Sequence, residues 1–135
     1  MITAVDSSVL FDIFLADPEF GAASARAMRT VLQQGTAVAC APVLAEVSSL
    51  FKDSAHAMAA LTELGVRYDT MDADSALAAG TAWRRYRDRG GPRSRVVADF
   101  LIGAHARSRA DRLFTRDAGF YRDYFRGLAL LVPTA

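Results

Sequence analysis

Residues 2–10, which read Ile-Thr-Ala-Val-Asp-Ser-Ser-Val-Leu, decide how the fold begins. The first four are apolar or β-branched and predict a buried strand, while Asp6 and two serines are typical of a helix N-terminus. Further apolar runs predict strands at 36–40, 66–70, 113–115 and 128–132. Since helical segments separate these strands, the pattern indicates a five-stranded parallel sheet covered on both faces, a three-layer α/β/α sandwich.

Capping and breaking residues predict where the helices begin and end. The first helix is expected to run to about Asp17, and Pro42 is expected at the first position of the helix after the second strand. Ser94 is expected to cap the helix that carries Asp99. The other predicted helices span about 20–34, 43–53, 55–64, 95–110 and 118–125, with a long one ending at 89.

The composition bounds the kind of protein. With 135 residues, 52% of them hydrophobic and 23% charged, the chain is expected to form one domain over residues 1–135. A single cysteine, Cys40, excludes an intrachain disulfide, and only two histidines are present. The absence of a basic, apolar N-terminal segment predicts a soluble, cytoplasmic protein without membrane contact. Because 16 basic residues balance 15 acidic ones, any nucleic-acid site must be local.

Four carboxylates occupy positions where chemistry is expected. Asp6 and Asp117 directly follow the first and fourth predicted strands, at the edge where parallel α/β sheets carry their sites. Glu46 and Asp99 lie on the apolar faces of two predicted helices, where a lone carboxylate is costly. The alternatives are helix N-caps for Asp6 and Asp117, and buried ion pairs with arginine for Glu46 and Asp99.

Together these carboxylates indicate a cation site. Ionised carboxylates at close range repel one another unless a cation lies among them. An all-oxygen ligand set suits Mg²⁺ or Mn²⁺ rather than zinc. The hydroxyl groups of Thr115 and of Ser7 or Ser8 are candidates for hydrogen bonds that support the metal ligands. The alternative is that these residues have only their ordinary roles in a strand and in a helix cap. Such a site suits phosphodiester hydrolysis, in which metal ions activate water and stabilise phosphoryl charge.

The order of the acidic motifs resembles that of the PIN-domain nucleases. The motifs are Val-Asp-Ser-Ser-Val-Leu at 5–10, Leu-Ala-Glu-Val at 44–47, Ala-Asp-Phe-Leu-Ile-Gly-Ala at 98–104 and Phe-Thr-Arg-Asp-Ala-Gly-Phe at 114–120. The likeness covers residues 2–133. The chain length and the ending from Tyr121 to Pro133 resemble the toxin of bacterial VapBC toxin–antitoxin pairs.

This resemblance implies the strand order 3-2-1-4-5 and a metal-dependent endoribonuclease whose toxicity comes from cutting a transfer or ribosomal RNA. It implies Asp6 and Asp99 as the principal Mg²⁺ ligands, with Asp117 binding directly or through water. Glu46 would position or deprotonate the attacking water, and Thr115 matches a hydroxyl position of the family. A homodimer neutralised by a VapB-type antitoxin is also implied.

Two positions depart from the family pattern. Gly103 stands where many relatives carry alanine, which is expected to give the substrate room or to weaken the helix. His105 replaces a small or polar residue and is expected to pack or to face a partner.

An arginine-rich run precedes the helix that bears Asp99. The residues of this run that are expected to bind RNA phosphates beside the metal site are Arg84, Arg87, Arg93 and Arg95. The alternative is a solvated helix end, where cations are favoured in any case.

Other enzyme classes fit less well. A haloacid-dehalogenase-type phosphatase needs a second aspartate at the position of Ser8 and a late lysine, but the only lysine is Lys52. The chain also lacks the acidic pair and the lysine that a response-regulator receiver needs. No phosphate-binding glycine loop is present. The alternative that remains is a PIN-like module that binds RNA or a partner without catalysis.

Overall fold

The computed structural model of the chain describes residues 1–134; Ala135, the end of the predicted domain, lies outside the described residues. Residues 1–134 form five strands and seven helices. The strands are β1 (Ile2–Val5), β2 (Thr36–Ala39), β3 (Val66–Tyr68), β4 (Arg112–Phe114) and β5 (Leu130–Leu131). The helices are α1 (Ser7–Phe14), α2 (Gly21–Gln34), α3 (Ala41–Ser48), α4 (Ser54–Leu64), α5 (Ala73–Asp88), α6 (Val97–Arg109) and α7 (Ala118–Tyr124). Within this described part, no helix is long and apolar enough to cross a membrane.

The sheet confirms the predicted architecture. Its order is β3-β2-β1-β4-β5 and every pairing is parallel. In the centre, Ala4 of β1 is in register with Val38 on one side and Leu113 on the other. The strand order reverses between β1 and β4, so the crevice at their carboxyl ends is where an open α/β sheet places its ligand site.

An aromatic cluster holds α5, α6 and α7 together beside this crevice. Phe100 of α6 is fully buried and contacts Tyr86 of α5 and Phe120 of α7 in edge-to-face geometry, with ring centroids 5.5 and 5.1 Å away. Tyr124 packs against the same three rings. These contacts join the two helices that follow β3 to the helix that follows β4, and they fix where α6 and α7 present their first residues.

Both bounds of α3 differ from the predicted ones, and serine hydroxyls that compete with the helix backbone account for its earlier end. Helix α3 begins at Ala41, so Pro42 is its second residue, and it ends at Ser48 rather than near Asp53. There Ser48 and Ser49 donate their hydroxyls to carbonyls three residues back, an alternative to continued helix. Asp53 instead caps α4 by accepting the amide of His56 at 2.9 Å.

The start of α6 was also predicted wrongly. Ser94 is exposed and does not cap the helix, whose N-cap position is held by Val96. The carboxylate of Asp99, three residues after Val96, accepts a hydrogen bond from the Val96 amide at 3.3 Å. Asp99 therefore supplies the side-chain hydrogen bond at the N-terminus of α6.

Gly103 lies against an aromatic ring rather than facing a substrate. A Cβ atom at this position would come within 2.4 Å of the ring of Phe125, which is itself buried. The expectation that Gly103 makes room for substrate was therefore wrong: it allows α6 to approach the segment after α7.

We expect Gly103→Ala to lower the free energy of unfolding by about 1–3 kcal/mol, because the added methyl overpacks the Phe125 contact. The matched control is Gly119→Ala, since no neighbouring atom lies within 4 Å of a Cβ there. That control should be neutral or stabilise by about 0.5–1 kcal/mol through helix propensity. Urea unfolding of both variants tests the contrast, and equal midpoints would contradict the packing argument.

Candidate functional site

Asp6 lies at the bottom of the crevice, immediately after β1. Its backbone amide donates to the Phe114 carbonyl of β4 at 2.9 Å, which ties it to the neighbouring strand. The side chain is 6% exposed and accepts two hydroxyl hydrogen bonds on Oδ2, from Thr115 at 2.6 Å and from Ser8 at 3.1 Å. Asp6 occupies the N-cap position of α1, but its side chain makes no capping hydrogen bond to that helix.

The surroundings of Asp6 disfavour its charge. Burial raises the pKa of its carboxyl from the ordinary value of 3.8 to about 6, against the opposing effect of the two hydroxyls. The nearby charge of Asp99 adds to the increase in this pKa. Within residues 1–134, no salt bridge compensates Asp6.

Asp99 faces the same crevice from the first turn of α6. It is half-buried, and this partial burial raises the pKa of its carboxyl. The Asp117 charge raises the pKa of Asp99 further, while its bond to the Val96 amide and the charge of Arg95 lower it. Asp6, Asp99 and Asp117 therefore form one electrostatically connected group.

Asp117 follows β4 by way of Thr115 and Arg116. Its amide donates to Thr115 Oγ1 at 2.9 Å, so one hydroxyl connects the Asp6 side chain to the loop that carries Asp117. The Asp117 carboxylate does not cap α7 but forms an ion pair with Arg95, which also stacks over the Phe120 ring at 4.2 Å. Arg95, expected to contact phosphate, is bound to an acid in this structure.

Glu46 approaches from the other side of Asp6. It is half-buried on α3, and its Oε1 accepts the hydroxyl of Ser7 at 2.8 Å. Burial raises the pKa of the Cys40 thiol to about 11, and the charges of both Asp6 and Glu46 contribute. Cys40 thus lies within the field of both acids. The buried ion pair proposed as an alternative for Glu46 is not formed within residues 1–134.

One residue of this region was missed by the sequence analysis. The ring of Tyr121 is 1% exposed, and burial raises the pKa of its hydroxyl strongly. The charges of Asp6, Asp99 and Asp117 all act in the same direction, which places this phenol beside all three acids. The signal in the sequence was its position four residues after Asp117, because residues at this spacing lie on the same face of a helix.

The donor set fits a divalent cation by its chemistry and charge. Within residues 1–134, no three acidic, imidazole or thiol side chains are arranged to ligate one ion together, since Arg95 holds Asp117 and Ser7 holds Glu46. However, Asp6 and Asp99 present oxygen donors with raised pKa values and no salt bridge. A cation would offset these charges, and oxygen donors suit Mg²⁺ or Mn²⁺.

The predicted substrate arginines lie around the end of α5. Arg87, Arg93 and Arg95 line one pocket of about 370 Å³, where Arg87 also stacks on Trp83 at 4.8 Å. Arg84 is exposed, points elsewhere and lies 3.9 Å from the carboxylate of Asp88.

His105 is a packing residue. It is 1% exposed, and its Nε2 lies 2.8 Å from Oδ2 of Asp69. Arg109 binds both oxygens of Asp69 at 3.0 Å, and chiefly these bonds lower the pKa of Asp69 to about 2. The group ties the segment after β3 to α6, away from the acidic crevice.

Asp12 is a second buried acid, and the sequence analysis did not identify it. It is 2% exposed and binds Arg116 Nε at 2.8 Å and Ser24 Oγ at 2.9 Å. Arg116 stacks over Phe20 at 4.3 Å and stands between Thr115 and Asp117 in the chain. Asp12 therefore anchors the loop that positions both residues.

The raised pKa of Asp6 predicts how stability depends on pH. Because the folded state binds this proton more tightly than the unfolded state, stability is lost as pH rises through about 6. The increase in the pKa of Asp6 from 3.8 to about 6 corresponds to a free energy of unfolding that is about 3 kcal/mol lower at neutral pH than at a pH where Asp6 is protonated in both states. We expect urea unfolding in a chelator to show greater stability near pH 5 than near pH 8.

The difference between the parent and Asp6→Asn isolates this effect, because all other titratable groups are common to the two proteins. Asp69, whose pKa is lowered, contributes stability that is lost only below about pH 4, outside this window. If the two proteins keep a constant stability difference from about pH 5 to 8, the pKa of Asp6 is not raised.

Comparisons with known proteins agree with this architecture. The PIN domain profile matches residues 3–125. No curated protein shows significant sequence similarity to the chain. VapBC2 from Rickettsia felis, solved bound to a DNA fragment from its promoter, superposes with a TM-score of 0.75 at 18% identity, over 99% of this chain and 100% of that one.

Two further structures are similar. VapBC-1 from nontypeable Haemophilus influenzae has a TM-score of 0.72 at 17% identity, with 98% of both chains covered. VapC20 from Mycobacterium tuberculosis, described as a toxin that cleaves the sarcin–ricin loop, has a TM-score of 0.66 at 17% identity over 94% and 98%. The family profile, the sheet order and the shared VapC-type fold lead to one conclusion: this chain belongs to the PIN domain family.

Proposed function

We propose that the protein is a metal-dependent endoribonuclease that hydrolyses phosphodiester bonds in structured RNA, as the toxin of a type II toxin–antitoxin pair. The observation that carries this proposal is the buried, uncompensated Asp6 carboxylate beside Asp99, at the strand reversal of a PIN-domain sheet. A packing role does not explain two neighbouring acids whose charges are disfavoured.

The proposed metal ligands are Asp6, Asp99 and Asp117, and Mg²⁺ is the expected ion, with Mn²⁺ as a substitute. When bound, such an ion activates water and stabilises the charge that develops on the phosphoryl oxygens. The hydroxyls of Thr115 and Ser8 hold Asp6 Oδ2 in place and leave its other oxygen clear of them.

Glu46 is proposed as the group that positions the attacking water and takes its proton. Its carboxylate is held by Ser7, the residue next to Asp6, so a hydrogen bond ties the proposed proton acceptor to the segment that carries the proposed ligand. The Ser7 hydrogen bond engages only Oε1, which keeps Oε2 clear of that contact.

Arg95 is proposed to change partners during substrate binding. It is now paired with Asp117, and ligation of an ion by Asp117 would release the guanidinium. Together with Arg84, Arg87 and Arg93, the released group would then bind RNA phosphates.

The proposed partner is a VapB-type antitoxin, because the similar structures from Rickettsia felis and Haemophilus influenzae are VapBC complexes. Homodimerisation and action in the cytoplasm belong to the same proposal.

The decisive experiment is RNA cleavage by the purified protein, freed of any partner. Transfer or ribosomal RNA should be cut with Mg²⁺ or Mn²⁺ and left intact with a chelator. The Asp6→Asn variant, purified in the same way, should not cut detectably. Because a contaminating nuclease would be present in both preparations, this result would exclude one as the source of the activity. Binding of RNA without cleavage under any metal would instead favour a non-catalytic PIN-like module.

A further inference from the structure

Four arginines from three separate parts of the chain meet in a second pocket, which we call the arginine pocket. It lies between α5, α6 and the end of α7 and has a volume of about 360 Å³. Its lining residues are Arg85, Arg89, Arg107, Asp123, Tyr124 and Arg126. At about 30 Å³ per water, this space would hold about a dozen waters, enough for a phosphate group with its sugar.

The guanidinium groups of this pocket lack acidic partners. Within residues 1–134, none of the four takes part in a salt bridge, and a single lining carboxylate, that of Asp123, faces them. Elsewhere in the fold Arg95, Arg109 and Arg116 each bind a carboxylate. Like charges gathered without compensation favour a bound anion.

Contacts with the protein hold these side chains in the pocket. Arg85 donates to the carbonyl of Tyr124 at 3.5 Å, and Arg107 donates to the carbonyl of Arg126. Arg107 also lies over the Phe125 ring at 5.4 Å, and Arg89 lies 6.0 Å from the centre of the Tyr124 ring. Side chains that are already restrained lose less entropy when they bind a ligand.

The arginine pocket differs from the site of the predicted arginine run. Arg87, Arg93 and Arg95 line the pocket on the other side of α5, with Trp83 and Tyr86. Successive helical residues point about 100° apart, so the alternating arginines of α5 separate onto two faces.

The position of the pocket favours a nucleic-acid ligand. Helix α7 begins next to Asp117 of the candidate metal site and ends at Tyr124, in the pocket wall. Seven residues of helix span about 10 Å, which a few nucleotides of an RNA strand cover. Guanidinium groups bind phosphate in bidentate geometry, and all four arginines are exposed.

We propose that the arginine pocket binds a backbone phosphate of the RNA strand a few nucleotides away from the bond that is cut. This inference rests on the proposed function, since it takes RNA as the ligand of the neighbouring acidic site. The pocket would then hold the strand without contacting the reacting atoms.

The test is RNA binding measured without hydrolysis. Fluorescence anisotropy of a labelled, mixed-sequence RNA of about 16 nucleotides in a chelator gives the Kd and its salt dependence. We expect Arg85→Gln with Arg107→Gln to weaken binding about tenfold or more and to lower the slope of log K against log salt by about 1 to 2.

The matched control is Arg26→Gln with Arg29→Gln, which removes the same charge from exposed positions of α2 outside the pocket. It should change the Kd much less. Should the double pocket variant unfold, Arg126→Gln alone is used, because this exposed residue follows α7 and its side chain supports no helix.

Each outcome has a distinct meaning. If pocket and control variants lose RNA affinity equally, only net charge matters and the pocket proposal is wrong. It is equally wrong if RNA binding is unchanged while binding to polyglutamate falls, which would assign the pocket to an acidic protein. Failure of the parent to cut RNA with Mg²⁺ would refute the nuclease instead, whereas the anisotropy result would still decide on the pocket.

Discussion

Asp6→Asn should lower the rate of Mg²⁺-dependent RNA cleavage by about 1,000-fold while leaving the fold intact. Loss of a ligand that supports several kcal/mol of transition-state stabilisation corresponds to about three factors of ten. Asparagine has nearly the same shape, and its amide oxygen can accept the hydroxyls of Thr115 and Ser8. The substitution also removes a charge whose burial is unfavourable, so the free energy of unfolding should rise at neutral pH.

Single-turnover cleavage and urea unfolding measure the two effects in one set of preparations. Glu63→Gln, a charge-neutralising change at an exposed position of α4, is the matched control and should change neither quantity. Cleavage at the parental rate by Asp6→Asn would show that this carboxylate holds no catalytic metal. A loss of activity together with a loss of stability would assign Asp6 a structural role.

The second large effect is expected at Asp12. Asp12→Ala leaves the Arg116 guanidinium and the Ser24 hydroxyl without their partner, and breaking a buried ion pair costs about 3–5 kcal/mol. Because the Arg116 side chain is 35% exposed and can regain water, we expect a loss near the lower end, about 3 kcal/mol. Chemical denaturation gives this value directly.

Asp88→Ala is the matched control for Asp12→Ala, because it removes an exposed acid that lies 3.9 Å from Arg84 on the same helix. Exposed pairs of this kind contribute less than about 1 kcal/mol. Combining Asp12→Ala with Arg116→Ala should recover part of the loss, since the uncompensated charge is then gone. Similar unfolding midpoints for Asp12→Ala and Asp88→Ala would show that Asp12 does not anchor the loop.

The comparison of Asp6 with Asp12 shows how much of the site was predictable. Both acids lie near the start of the chain and both are buried. Asp6 follows an apolar strand, and topology alone brings the carboxyl ends of parallel strands to one edge. Asp12 lies inside a helix, where a local pattern does not show which distant residue compensates it; that partner, Arg116, is more than 100 residues away.

The arginines also divide into a part that the sequence predicts and a part that depends on folding. A cluster of arginines before Asp99 is visible in the sequence, but which of them remain free of acids is decided by folding. Arg95, which is expected to bind phosphate, pairs with Asp117 in this structure. Arg107 and Arg126 were not among the predicted substrate-binding residues, and they complete the arginine pocket. Ion pairs form between groups that packing brings within a few ångströms, and packing joins elements far apart in the chain.

Local sequence patterns are sufficient to predict the alternation of strands and helices, the parallel sheet and the positions of Asp6 and Asp117 at its carboxyl edge, because hydrophobic period and capping chemistry are local properties. Tertiary packing sets the close approach of Gly103 to Phe125, the burial of Tyr121 and the separation of the arginines into two pockets. Those features depend on the angles and distances at which whole helices pack, which no segment of the chain specifies alone.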